Sequence, residues 1–132
     1  MNVAVIGSRN IPMSFDRFCA LMDGILPDET TSIVSGGARG TDSLAAQYAR
    51  LHNLKIVEHR PDYSLFGKIA PLVRNRTIVD NSDFVVAIWD GASKGTLNTI
   101  DYTLERGIAL AVYYFKKDEV RFFKPYERNE DN

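Results

Sequence analysis

Short apolar runs alternate with longer amphipathic stretches along this chain, and that rhythm restricts the fold more than any other feature. Val3 to Ile6 reads as a buried strand ending at Gly7, Ile33-Val34 as a second, and Leu54 to Val57 as a third. Phe84 to Trp89, the longest apolar run, reads as the central strand, and Ile108 to Tyr114 as the fifth. Between them lie stretches with helical spacing. Phe15, Phe18, Cys19, Met22 and Ile25 recur on one face, with Ser14 as N-cap. Leu44, Ala45, Tyr48 and Ala49 mark a second face. A helix is expected from Pro71 to about Asn81, and another with Leu97, Ile100 and Leu104 inward and Gly107 as its stop. Pro61 to Pro71 reads as irregular.

Strands that are apolar on both faces need cover on both sides, which a parallel sheet between two helical layers supplies. With right-handed crossovers, the expectation is a three-layer α/β/α domain with a five-stranded parallel sheet, order 3-2-1-4-5. Residues 1–115 form this domain. Residues 116–132 form a charged tail, partly docked through Phe122, Phe123 and Tyr126 and otherwise disordered.

In such folds, ligands bind beyond the carboxyl ends of the strands, where strand order reverses. Three loops leave strands at that edge. Gly7-Ser8-Arg9-Asn10 offers a tight turn, a hydroxyl and a guanidinium that can fork onto phosphate. Ser35-Gly36-Gly37-Ala38-Arg39-Gly40-Thr41-Asp42 places three glycines in five residues ahead of a helix. Backbone amides can approach a ligand there, and the helix start favours an anion. Asp42 is placed to cap the helix or hold a ribose hydroxyl. Asp90-Gly91-Ala92-Ser93-Lys94-Gly95-Thr96 reads as a phosphate cradle of hydroxyls and amides with Lys94 adding charge. It is neither a Walker motif nor a G-x-G-x-x-G fingerprint. Asn75 shares a helical face with Leu72 and Val79, so its amide is expected to point inward and bridge the first and third loops, with Arg74 on the same rim.

Composition narrows the function. The formal net charge is −1, without the basic excess of a protein that coats nucleic acid. One cysteine, Cys19, excludes an intrachain disulfide or a multi-cysteine zinc site, and the two histidines lack ligand spacing. No metal and no cofactor is expected. No apolar run reaches the roughly 18 residues of a membrane span, and the start does not read as a signal peptide. The expected compartment is the cytoplasm.

Gly7-Ser8-Arg9, the Ser35 to Asp42 segment, the Gly67 to Asn75 stretch ending in Arg74-Asn75, and Ser93-Lys94-Gly95-Thr96 occur in order. Together they resemble the SLOG superfamily, named for the Smf/DprA and LOG proteins, and its small YspA-like branch, over about residues 2 to 114. The resemblance implies a Rossmann-like sheet, a nucleotide or nucleotide-sugar pocket, and homo-oligomers formed through helices beside it. LOG enzymes cleave the N-glycosidic bond of nucleoside monophosphates with an Arg, matched here by Arg74, and a Glu after a Gly-Gly-x-Gly-Thr loop. Asn98 and Thr99 stand where that Glu belongs, and the next carboxylate is Asp101. The expected function is therefore binding of a phosphorylated nucleotide or nucleotide derivative, as a sensor, sequestering protein or carrier. The alternative is an N-glycosidic hydrolase or transferase using Asp62 with Arg74, with Asp42 and Asp101 behind them. A single-stranded DNA-binding module in the DprA manner ranks third.

Overall fold

The computed structural model describes residues 1–123. In chain order the elements are β1 (Asn2–Gly7), α1 (Phe15–Ile25), β2 (Ser32–Ser35), α2 (Thr41–Leu51), β3 (Lys55–Glu58), α3 (Tyr63–Phe66), α4 (Ala70–Asp80), β4 (Phe84–Trp89), α5 (Lys94–Glu105), β5 (Ala109–Tyr114) and β6 (Glu119–Phe123). A 3-10 turn, Gly67–Ile69, joins α3 to α4. The expected irregular stretch after Pro61 thus contains a short helix and this turn.

The sheet order is β3-β2-β1-β4-β5-β6. The first five strands pair in parallel, as expected. The expected count of five strands is corrected to six. β6 lies antiparallel beside β5, with Tyr114 opposite Glu119 and Leu110 opposite Phe123. The turn between them passes through a second 3-10 segment and Asp118, whose φ of 50° is left-handed. Arg17 of α1 fastens that turn. Its Nη2 donates to Asp118 Oδ1 at 2.9 Å and to the Tyr113 hydroxyl. Phe122 is exposed and Phe123 packs against the core, while Tyr126 lies outside the described residues.

Period-2 alternation sorts the strand side chains into two cores. Val3, Val5, Ile33, Val86 and Ile88 meet Phe18 and Met22 of α1 and Tyr48 of α2 on one face. Ala4, Ile6, Val34, Val85 and Ala87 meet Ile78 and Val79 of α4 and Ile100 of α5 on the other. A fully buried side chain of the size of Phe18 or Met22 stabilises by roughly 1.5–3 kcal/mol, so the sheet is held from both sides. Ser14 caps α1 as expected, accepting from the Arg17 amide at 3.1 Å. Among the described residues, no helix is long and apolar enough to cross a membrane.

Two helical faces differ from the sequence reading. In α5 the inward residues are Thr96, Thr99, Ile100 and Thr103, whereas Leu97 and Leu104 are 39% and 45% exposed. The Thr99 and Thr103 hydroxyls donate to carbonyls one turn back, at Gly95 and Thr99, which leaves their methyl groups to pack. In α4 the buried polar residue is Arg74, at 9% exposure; Asn75 is only half-buried.

Candidate functional site

The chain leaves β1 toward β2 and later returns to place β4 on the other side of β1, so strand order reverses between β1 and β4. A cleft of about 500 Å³ opens there. Its walls are the three loops anticipated at the strand ends, together with the inner side of α4.

Ser8 joins the loops. Its amide donates to Ile88 O at 3.0 Å, its Oγ accepts from the Asp90 amide at 3.3 Å, and its carbonyl accepts from Thr41 Oγ1 at 3.0 Å. The ends of β1 and β4 and the start of α2 are thereby held in one frame. Gly7 permits the approach: a Cβ there would lie 2.7 Å from Ile88 O and 2.8 Å from Thr41 Oγ1. Gly40, at φ 76°, packs directly against the Arg9 carbonyl.

The second loop curls over its own helix. Asp42 Oδ2 accepts from the Ala38 amide at 3.0 Å. Burial raises the Asp42 carboxyl above its ordinary range, and the Ala38 amide and the Arg74 charge only partly offset that. Arg74 holds the same loop from α4. Its Nη1 donates to Gly36 O at 2.9 Å and to His59 O at 3.3 Å, and its Nε to Asn75 Oδ1 at 2.8 Å. Burial lowers the Arg74 pKa, opposed by Asp42. Asn75 lines the cleft, but its hydrogen bond runs to Arg74 and not to the first and third loops, so the expected amide bridge is corrected.

The third loop is closed on itself. Asp90 Oδ1 accepts from the Ala92 and Ser93 amides at 2.9 and 2.8 Å, which lowers its pKa. Ser93 caps α5 through the Thr96 amide, and Trp89 Nε1 donates to Ser93 O at 3.0 Å. These amides already have acceptors, and the exposed Lys94 does not line the cleft. The Lys94 side chain expected in the phosphate cradle is thus not among the groups lining the cleft, whereas Ser93, Gly95 and Thr96 are.

Residues 1–59 match the family model for DNA recombination-mediator protein A. The matched segment is of the DprA/Smf-like SLOG type. It runs from β1 through β3 and carries the first two loops of the cleft; α4, β4 and the third loop lie beyond it. Comparison with curated proteins and with solved structures returned no match.

Of the residues anticipated from sequence, Gly7, Ser8, Arg9, Gly36, Arg39, Asp42, Arg74, Asn75, Asp90, Ser93, Gly95 and Thr96 line this cleft. Gly37 lines a neighbouring one. Gly40, Thr41 and the exposed Gly91 do not line the first cleft. Ile6, Pro71, Ile78 and Thr99 also line it, outside the three loops anticipated from sequence. Thr99 sits three residues after Thr96 on the same helical face, a spacing that was available to find it. Asp62 is elsewhere: it caps α3 through the Leu65 amide and the Ser64 hydroxyl, which lower its pKa, and it lines a separate side cleft with Glu58 and His59. Among the described residues, no cluster of three His, Cys, Asp or Glu groups is placed to hold a metal.

A second cleft of about 310 Å³ adjoins the first across Gly36, Ala38 and Arg74. Arg9, Arg39, Arg60 and Tyr63 line it, and no carboxylate does. Arg60 rests over Gly37, donating to its carbonyl at 3.1 Å, and pairs with Glu58 at 3.3 Å.

Proposed function

We propose that this SLOG domain binds a phosphorylated nucleotide or nucleotide-derived ligand, as a sensor, sequestering protein or carrier. The observation that carries the reading is the polar cleft at the β1/β4 switch point, where Arg9 and Arg39 flank two carboxylates, Asp42 and Asp90. Guanidinium forks suit phosphate oxygens, and carboxylates suit sugar hydroxyls. Among the described residues, neither Arg9 nor Arg39 forms a salt bridge, so both are available to an anion. A charge-assisted hydrogen bond contributes about 1.5–3 kcal/mol. Arg39→Ala is therefore expected to weaken nucleotide binding roughly ten-fold or more while leaving thermal unfolding unchanged. Isothermal titration with nucleoside phosphates measures this. Unchanged affinity in the variant, or no nucleotide binding by the wild-type protein, would overturn the reading.

One observation favours a catalytic alternative. Asp42 is a half-buried carboxylate of raised pKa inside the cleft, the environment that suits a general acid. An N-glycosidic hydrolase would use Asp42 in preference to the distant Asp62. Release of free base from a nucleoside monophosphate, abolished by Asp42→Asn, is the result that would favour it. The family match keeps DNA as a third ligand, and titration with a short single-stranded oligonucleotide tests that.

The reading extends to association of copies. Leu97 and Leu104 stand exposed one and three turns into α5, the helix whose first turns line the cleft. Light scattering at micromolar concentration is expected to give more than one chain per particle, and Leu104→Glu to reduce it to one.

A further inference from the structure

The two adjoining clefts differ in charge. The larger one sets Arg9, Arg39 and Arg74 against Asp42 and Asp90. The smaller one is lined by Arg9, Arg39, Arg60 and Arg74 and by no acidic side chain. An anion entering the pair is repelled by Asp42 and Asp90 in the inner cleft and meets no like charge on the walls of the outer one. Arg74 commits its Nε and Nη1 to Asn75, Gly36 O and His59 O. Arg60 uses two donors, on Gly37 O and Glu58, and keeps the rest of its fork. Arg9 and Arg39 keep theirs. Three exposed guanidiniums with free donors, on walls that carry no acidic side chain, exceed what one phosphate monoester requires.

We infer that the outer cleft is a diphosphate subsite: the ligand is a nucleotide with at least two linked phosphoryl groups, held outward over Arg9, Arg39 and Arg60 while its sugar faces Asp42 and Asp90. This rests on the nucleotide reading above and fixes the direction in which the ligand lies. Gly37, at φ 69°, belongs to the subsite's floor. A Cβ there would lie 3.0 Å from the Arg60 guanidinium carbon, so the glycine keeps that side chain seated over the loop. Tyr63, 57% exposed, adds an aromatic ring and a hydroxyl at the outer rim, where a group attached to the second phosphate emerges.

The test is isothermal titration of the full chain with inorganic phosphate, inorganic pyrophosphate, a nucleoside monophosphate and the corresponding diphosphate. Wild-type protein is compared with Arg60→Ala, Arg60→Gln and a charge control at the opposite end of β3, Lys55→Ala. Arg60 is 68% exposed in its pair with Glu58, so its loss leaves the fold intact. Pyrophosphate is expected to bind at least ten-fold more tightly than phosphate, and the nucleoside diphosphate at least ten-fold more tightly than the monophosphate. Both Arg60 variants are expected to abolish these preferences while monophosphate affinity changes less than two-fold, and Lys55→Ala to change nothing. Equal binding of mono- and diphosphates overturns the subsite and leaves the nucleotide reading standing. Binding of pyrophosphate with no nucleotide bound overturns the nucleotide reading and leaves an anion site. A single-stranded oligonucleotide that displaces the diphosphate and loses affinity in both Arg60 variants overturns the assignment to a small molecule.

Discussion

Arg74→Ala is expected to destabilise the domain by about 3 kcal/mol, before any effect on a ligand is considered. The guanidinium is the only group seen to join α4 to the Gly36 loop and to the strand end at His59 by hydrogen bonds, reaching both carbonyls. Truncation leaves the Gly36 carbonyl buried without that donor, and an unsatisfied buried acceptor costs about 1–3 kcal/mol. It also empties the space under Asp42, which loses its nearest positive charge. For a domain of this size the melting temperature is expected to fall by on the order of 10 °C. Arg74→Lys is expected to recover only part of this, because one ammonium cannot reproduce a planar fork that meets Gly36, His59 and Asn75 together. Denaturant unfolding measures both variants. A loss under about 1 kcal/mol for Arg74→Ala would mean that Arg74 serves the ligand and not the loop.

Gly40→Ala is expected to cost about 3 kcal/mol or more, through two separable effects. At φ 76° a side chain forces backbone strain of roughly 1–3 kcal/mol. The new methyl would also strike the Arg9 carbonyl, a backbone atom next to Ser8, which is itself bonded to the end of β4. Overpacking of that kind adds roughly 1–3 kcal/mol. Gly91→Ala separates the two. Gly91 has φ 86° but nothing within 4 Å of its would-be Cβ, so it carries the strain alone. Chemical denaturation is expected to rank Gly40→Ala well above Gly91→Ala. Equal losses would show that the Arg9 carbonyl yields. If it does yield, Arg9 moves with it and phosphate affinity falls in the Gly40 variant but not in the Gly91 variant.

The order of the five parallel strands is legible because each strand is apolar on both faces and each crossover carries a helical period. β6 escapes the same reading for a physical reason. Glu119-Val120-Arg121-Phe122-Phe123 follows three charged residues and is an edge strand that exposes Phe122, so its pattern resembles a solvated tail. Its turn uses Asp118 in the left-handed region where a sequence reader looks for glycine. The α4 face fails differently. Ala70, Arg74 and Ile78 face inward at intervals of four, but an arginine in that row reads as solvated. Its burial depends on carbonyls at Gly36 and His59, 38 and 15 residues away, which no local pattern announces. In α5, threonines replace leucines on the inner face because their hydroxyls bond within the helix, an option hydrophobicity does not register. The glycine loops were legible as a site because Gly7 and Gly40 are needed for backbone contact, while the self-contained Asp90 turn looked open only because its internal hydrogen bonds are invisible in sequence.

Trp89 closes β4 and ties its indole N–H to the carbonyl of Ser93, the cap of α5 and a wall of the cleft. It is the one tryptophan in the chain, and its ring lies 6.0 Å from that of Tyr114. Ultraviolet excitation at its red edge therefore addresses a single chromophore, anchored to a loop that lines the cleft. The emission maximum of an indole depends on the polarity and hydrogen bonding around it. The molecule carries its own optical gauge of occupancy, with no label to attach and no background from a second tryptophan.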